Sequence, residues 1–181
     1  IHCNSPEDSI PIGNPEPMPV PEELNYDLWL GPAADAPYTM QRVHPVKVLE
    51  ERPGWLRISD YTNGMVANWG SHLNDIVQWA HDSDRSGPAA VEGTGQFSDG
   101  LWNTIVDFDL TYEYADGVVL KYTMGGDATI RFEGTDGWVS VQYPDKVEAS
   151  KPEILQEPLG AGELDLRGTL SDKEDFLHAI K

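Results

Sequence analysis

Asn68, His72 and Asp75 stand four and three residues apart within GMVANWGSHLNDIVQWAH, residues 64–81. On a helix, such steps return to nearly one face, so these polar groups and Trp79 would form a stripe beside the apolar stripe of Trp69, Leu73, Ile76 and Ala80. An imidazole changes protonation near neutral pH, which suits His72 to general acid–base work, with Asn68 and Asp75 orienting it. Spacing alone favours a plainer reading, with Asn68 in the first turn, His72 a partly buried core histidine and Asp75 accepting a nearby bond. A metal reading, joining His72 and Asp75 to His44 or His81, is weaker, because His-x-x-Asp without a second close ligand pair arises readily by chance.

Other chemistries lack their residues. The single Cys3 excludes an internal disulfide, and with no helical or basic setting to lower its pKa it is a poor nucleophile. No glycine-rich phosphate loop follows a strand and no Gly-x-Ser-x-Gly elbow occurs; EGTGQFSDG and EGTDG are better explained as turns. Trp102 and Tyr143 could line a sugar site, but aromatics in sheets more often simply pack. With 12 basic and 31 acidic residues, the net charge of −19 argues against nucleic acid and anionic membrane as partners. No apolar run approaches the roughly 20 residues that span a bilayer. A chain of 181 residues is expected to form a single domain, and its opening without Met and its close inside a helical pattern suggest an excised one.

The elements that must position these residues follow from periodicity. Residues 1–23 read as an extended segment, because six prolines within 5–21 remove backbone donors and fix φ. PEELNYDLWLGP fits a short helix ending at Gly31, and APYTMQRVHP a loop. Residues 45–63 lack a clear period, whereas Val66, Trp69, Leu73, Ile76, Val77 and Ala80 mark a helix of about four turns. Period two then takes over for sheet hairpins across residues 88–143.

Register can be worked out from the faces. A two-residue turn at Asp116-Gly117 would mix polar and apolar residues on both faces. A three-residue loop, Ala115 to Gly117, with Gly117 left-handed, instead pairs Tyr114 with Val118, Tyr112 with Leu120, Leu110 with Tyr122 and Phe108 with Met124. One face becomes apolar and the other carries Asp109, Thr111, Lys121 and Thr123, as in an antiparallel sheet covered on one side. TIRFEGTDGWVSV favours a four-residue loop, Gly134 to Gly137, pairing Phe132 with Val139, Ile130 with Val141 and Arg131 with Ser140. Residues 144–170 read as connection with at most a turn near Pro152 to Leu155, and Ser171 with Glu174 forms a capping-box pattern opening a helix over 171–181. The expected fold class is α+β: a large, mainly antiparallel open sheet packed on few helices.

NGMVANWGSHLNDIVQWAH also resembles the Gly-Gly-x-x-x-Asp-x-Gly-x-His-x-x-Asp segment of the Gfo/Idh/MocA oxidoreductases, and NYDLWLGPAADAPYT, VEGTGQF and IRFEGTDGWVSV resemble further segments of one bacterial branch, in the same order. The resemblance runs from about Leu24 to Lys181 and implies the C-terminal, substrate-binding and oligomerisation domain of such an enzyme. The Rossmann domain, which holds NAD or NADP and supplies a catalytic lysine, would lie outside this chain. His72 falls on the family histidine that takes a proton from a sugar or polyol hydroxyl, and Asp75 on the acid three residues later. Asn68 stands where many relatives carry Asp, and Asn63 replaces the first glycine. An amide can hydrogen-bond a hydroxyl but cannot accept its proton near neutral pH.

The resemblance thus implies an NAD(P)-dependent oxidoreductase acting on a sugar, sugar acid or cyclitol, inactive as this fragment alone and forming a homo-oligomer through the polar sheet face. The alternatives are an NAD-assisted glycosidase or sugar lyase, and a non-catalytic binding or oligomerisation domain.

Overall fold

The computed structural model describes residues 1–3, 13–45, 53–143, 145–156, 158–160, 162 and 171–180. In chain order these give β1 (His2–Cys3), α1 (Tyr26–Leu30), α2 (Met40–Val43), α3 (Met65–Ala80), β2 (Ala90–Phe97), β3 (Ile105–Glu113), β4 (Val119–Met124), β5 (Thr129–Glu133), β6 (Trp138–Gln142), β7 (Lys146–Ala149) and α4 (Asp172–Ile180). Short 3-10 turns occupy Gly54–Arg57 and Pro152–Gln156. The strands form one seven-stranded sheet, ordered β2-β3-β4-β1-β5-β6-β7. Two antiparallel halves meet at β1, which runs parallel to β4 and antiparallel to β5. The fold is α+β.

Both hairpin registers follow from side-chain alternation. Tyr112 faces Leu120 and Leu110 faces Tyr122, while Gly117, with φ of 92°, closes the turn. In the second hairpin Phe132 faces Val139, Ile130 faces Val141, and the Gly134 N–H donates to the Gly137 carbonyl. Period two therefore delivers Phe108, Tyr122 and Ile130 to one side of the sheet, where they form the core with Leu73 and Val77 of α3.

Tyr122 is fully excluded from solvent. Its ring meets Phe108 edge-on at 4.8 Å, and its hydroxyl donates to the Val66 carbonyl at 3.0 Å. A side chain at Gly70 would reach to 3.2 Å from the Asn74 amide and 3.4 Å from the Tyr122 hydroxyl, so glycine lets α3 lie low here. At its start, Gly64 has φ of 73° and a Cβ there would collide with Thr104 at 2.6 Å. Only glycine joins the preceding loop to α3 at that point.

The face of α3 differs from the expected one in rotation. Met65, Gly70, Leu73 and Val77 are buried, whereas Ile76 and Ala80 are exposed. Gly70 gave no apolar signal, so the stripe read from side chains was centred too far toward Ile76. EGTGQF, expected as a turn, instead lies within β2, paired along its length with β3. Other differences are short elements. APYTMQRVHP holds α2, started by Thr39, whose hydroxyl accepts from the Arg42 N–H at 2.9 Å. The extended reading of residues 1–23 omits β1, and the connection reading of residues 144–170 omits β7; two and four residues show too few alternations to register. The capping box does open α4, with the Ser171 hydroxyl 3.4 Å from the Glu174 N–H. Trp102 packs with Ile58 and Leu101 in a second core and donates to the Gln41 carbonyl at 3.0 Å.

The far end of α3 is held by the first hairpin. His81 Nε2 lies 2.9 Å from Asp116 Oδ2, the His81 ring meets Tyr114 at 4.6 Å, and the Tyr114 hydroxyl donates to Gln78. The Val118 N–H, followed by the His81 imidazole, holds the Asp116 carboxyl below the ordinary carboxylate range. Because folding lowers this pKa, the contribution is present above the ordinary value of 3.8 and is lost as pH falls below it through the folded value. Asp116→Asn should lower the urea midpoint at pH 6 and shrink the gap to wild type below pH 3, midpoints followed by circular dichroism. A gap independent of pH would contradict the linkage.

Candidate functional site

An open groove of about 600 Å³ runs between α3 and the β5–β6 hairpin. One wall is polar: Asn68, Ser71, His72 and Asp75, all from α3. Its floor is apolar, built from Leu73 of the helix and Ala128, Ile130 and Val141 of the sheet. Trp69 and Tyr143 close one corner, their rings 5.6 Å apart at 73°.

The helix brings the three sequence-predicted residues together on that wall. Steps of four and three set neighbouring Cβ atoms about 5–6 Å apart. Asn68 is half-buried, whereas His72 and Asp75 are exposed. The reading of His72 as a partly buried core histidine therefore fails: the rotation of α3 that puts Leu73 and Val77 into the core turns His72 into the groove. Its ring meets Trp69 at 6.3 Å. Among the described residues, no hydrogen bond engages the side chains of Asn68, His72 or Asp75, so their polar groups remain available to a ligand.

The metal reading loses its partners. His44 Nε2 lies 3.1 Å from the Tyr38 hydroxyl, and His81 is engaged with Asp116. Among the described residues no three His, Cys, Asp or Glu side chains come close enough to share an ion.

Tyr143 is what sequence reasoning set aside. It is 66% exposed on the groove rim, immediately after β6, with its N–H donating to the Ala128 carbonyl at 2.9 Å. The signal was present, since Val139, Val141 and Tyr143 continue one period-two face toward the helix. A second aromatic group, Tyr26, Trp29, Tyr38 and Tyr61, surrounds the buried Arg42, which donates to the Pro37 carbonyl and the Tyr61 hydroxyl. That group braces the segment before α3.

The profile described as "Oxidoreductase family, C-terminal alpha/beta domain", of the Gfo/Idh/MocA enzymes, matches residues 12–161. The chain belongs to the Gfo/Idh/MocA oxidoreductase family. The match takes in both walls of the groove and six of the seven strands, leaving out β1 and α4. No curated protein and no solved structure gives a significant match. As a Gfo/Idh/MocA C-terminal domain, the chain carries His72 on the polar wall of a groove with an apolar floor.

Proposed function

We propose that this domain is the substrate-binding half of an NAD(P)-dependent oxidoreductase acting on a sugar, sugar acid or cyclitol, with His72 as its acid–base residue. One observation carries the reading: Asn68, His72 and Asp75 line a single polar wall facing an apolar floor. A polyol ring has the matching character, hydroxyls around its edge and C–H bonds on its faces.

In the forward direction His72 takes the proton of a ring hydroxyl as the carbinol C–H leaves as hydride, so that alcohol becomes carbonyl. Bound NAD(P) supplies the hydride acceptor. The exposed side of His72 and the open groove fit a nicotinamide carried by another part of the protein, since this chain has no glycine-rich dinucleotide loop of its own. Asn68 offers both a donor and an acceptor to a hydroxyl beside the reacting one, and Asp75 accepts from a further hydroxyl. Both fix the ring against His72, which is where most of an acid–base residue's advantage comes from.

Asn68 favours a second reading. An amide in place of an acid suits a cycle with no net oxidation, in which transient oxidation of a sugar carbon acidifies its neighbour and permits glycoside cleavage by elimination. His72 serves that reaction equally.

Full-length protein assayed with NAD(P) on a panel of monosaccharides, cyclitols and aryl glycosides separates these. NADH accumulation means net oxidation; aglycone release that requires NAD without accumulated NADH means cleavage. His72→Ala should reduce either activity by about 100-fold or more, the usual range for a general acid–base. Unchanged activity in that variant, or silence across the panel with cofactor bound, would sink the reading and leave a non-catalytic binding domain.

The polar sheet face supports a homo-oligomer. Asp109, Lys121 and Arg131 are exposed on it, and the Arg131 guanidinium lies 4.3 Å over the Trp138 ring, a flat platform for a second sheet. Light scattering of the full-length protein should show a dimer or larger species; a monomer at every concentration would refute this.

A further inference from the structure

We infer that the outer edge of β2 is a self-association surface, on which two copies of this chain pair their β2 strands antiparallel about a two-fold axis at Thr94. The contact is independent of the groove reading. It also differs from a contact between sheet faces, because it uses the backbone groups at the rim of the sheet and joins two seven-stranded sheets edge to edge.

The edge is long and bare. β2 ends the sheet, and among the described residues no strand lies on its outer side. All eight of its residues are exposed, Val91 at 55% and Phe97 at 69%. An edge strand aims alternate N–H and C=O groups away from its sheet, which makes it a template for another strand. Edges that stay single are short or carry lysine or proline. AVEGTGQF carries neither, and its one charge is Glu92. The irregularity in its pairing with β3 comes only at Gln96/Phe97, so Ala90 to Gln96 run regularly.

The occupant follows from the pattern of the strand. VEGTGQF reads alike in character from either end: apolar Val91 and Phe97, polar Glu92 and Gln96, then Gly93 and Gly95 on either side of Thr94. A two-fold axis normal to a sheet sets each residue opposite one on its own face, so the axis falls on a residue. At Thr94 it pairs Val91 with the second copy's Phe97, Glu92 with its Gln96, Gly93 with its Gly95 and Thr94 with its Thr94. Aromatic with β-branched and Thr with Thr are favourable cross-strand pairs, and no like charges stand opposite. The neighbouring centres do worse: at Gly93 the axis sets Val91 against glycine, at Gly95 it does the same to Phe97, and at Glu92 it opposes two carboxylates.

The glycines complete the fit. Gly93 and Gly95 share their face with Leu110 and Phe108 of β3. A Cβ at Gly93 would fall 2.8 Å from Leu110 Cδ2, and one at Gly95 would collide with Ile105 Cδ1, so these two side chains lie over the glycines toward the edge. In the paired register Leu110 and the second copy's Ile105 meet over the Gly93–Gly95 pair. With Val91 and Phe97 they make one apolar band across the junction.

Cysteine cross-linking of the full-length protein, with its native cysteines as background, tests both contact and register. Directly opposite residues hold their Cβ atoms about 4.5–5.5 Å apart, whereas Glu92 and its copy would be offset by four residues, roughly 13 Å. Thr94→Cys should therefore give a covalent dimer with a mild oxidant or a short bis-maleimide, at least tenfold faster than Glu92→Cys or Gln96→Cys. Equal rates at the three sites, or no dimer from Thr94→Cys, overturn the inference. Sedimentation velocity from about 1 to about 100 µM suits a contact smaller than the usual ~1,600 Å². Val91→Lys, exposed and so expected to keep the wild-type melting temperature, should weaken association at least tenfold. If Val91→Lys associates like wild type while Lys121→Glu dissociates the oligomer, the edge inference falls and the sheet-face contact stands. Amide exchange across residues 90–97 should slow as protein concentration rises. Protection independent of concentration would mean that the edge is covered within one chain, and would overturn the inference.

Discussion

Tyr122 lies at the centre of the sheet with no surface exposed to water, and its phenol oxygen reaches the carbonyl of Val66, the second residue of α3. A buried hydroxyl without a partner is costly, so this bond ties the position of the helix to the sheet in addition to the surrounding apolar contacts. Gly70 allows the approach, and Leu73 and Val77 follow on the same side. Once those residues are down, the helical repeat leaves Asn68, His72 and Asp75 no choice but the flank facing β5 and β6. The polar wall is thus a by-product of how the helix is seated, held at one end by Gly64 against Thr104 and at the other by His81 on Asp116.

Much of this frame was legible in the residues. Alternation over a nine-residue strand leaves one register that separates apolar from polar faces, and the glycines at 117 and 137 say where the chain can turn. The bounds of α3 were legible for the same reason: sixteen residues sample the helical period four times. Elements of two to four residues, β1, α2 and β7, were not, since their pairing is decided by neighbours distant in sequence. The rotation of α3 escaped because its decisive core position is a glycine, invisible to a count of apolar side chains. The site divides similarly. His72 and its helical neighbours showed in spacing, and resemblance to a family gave them a role. Tyr143 follows β6, and only the folded hairpin brings it to Trp69 at the corner of the groove.

The chemistry follows from the contrast between the two sides of the groove. A helix supplies hydrogen-bonding groups at one-turn intervals, while sheet side chains supply a flat apolar floor. Together they suit a ligand that is polar around its rim and apolar on its faces. Catalysis asks for one further thing, a group that can take a proton beside a hydride acceptor. Under the proposed function His72 would be that proton acceptor, and its exposure would leave room for the acceptor of hydride. That division of labour agrees with membership of an oxidoreductase family as its C-terminal domain.

The most direct measurement is a crystal structure of the full-length protein holding NAD(P) and a ring substrate or its product. The account places the reacting oxygen within hydrogen-bond reach of the His72 imidazole, about 2.6–3.2 Å, with the nicotinamide on the open side of the same groove. A ligand bound elsewhere, with His72 facing only solvent, would contradict it.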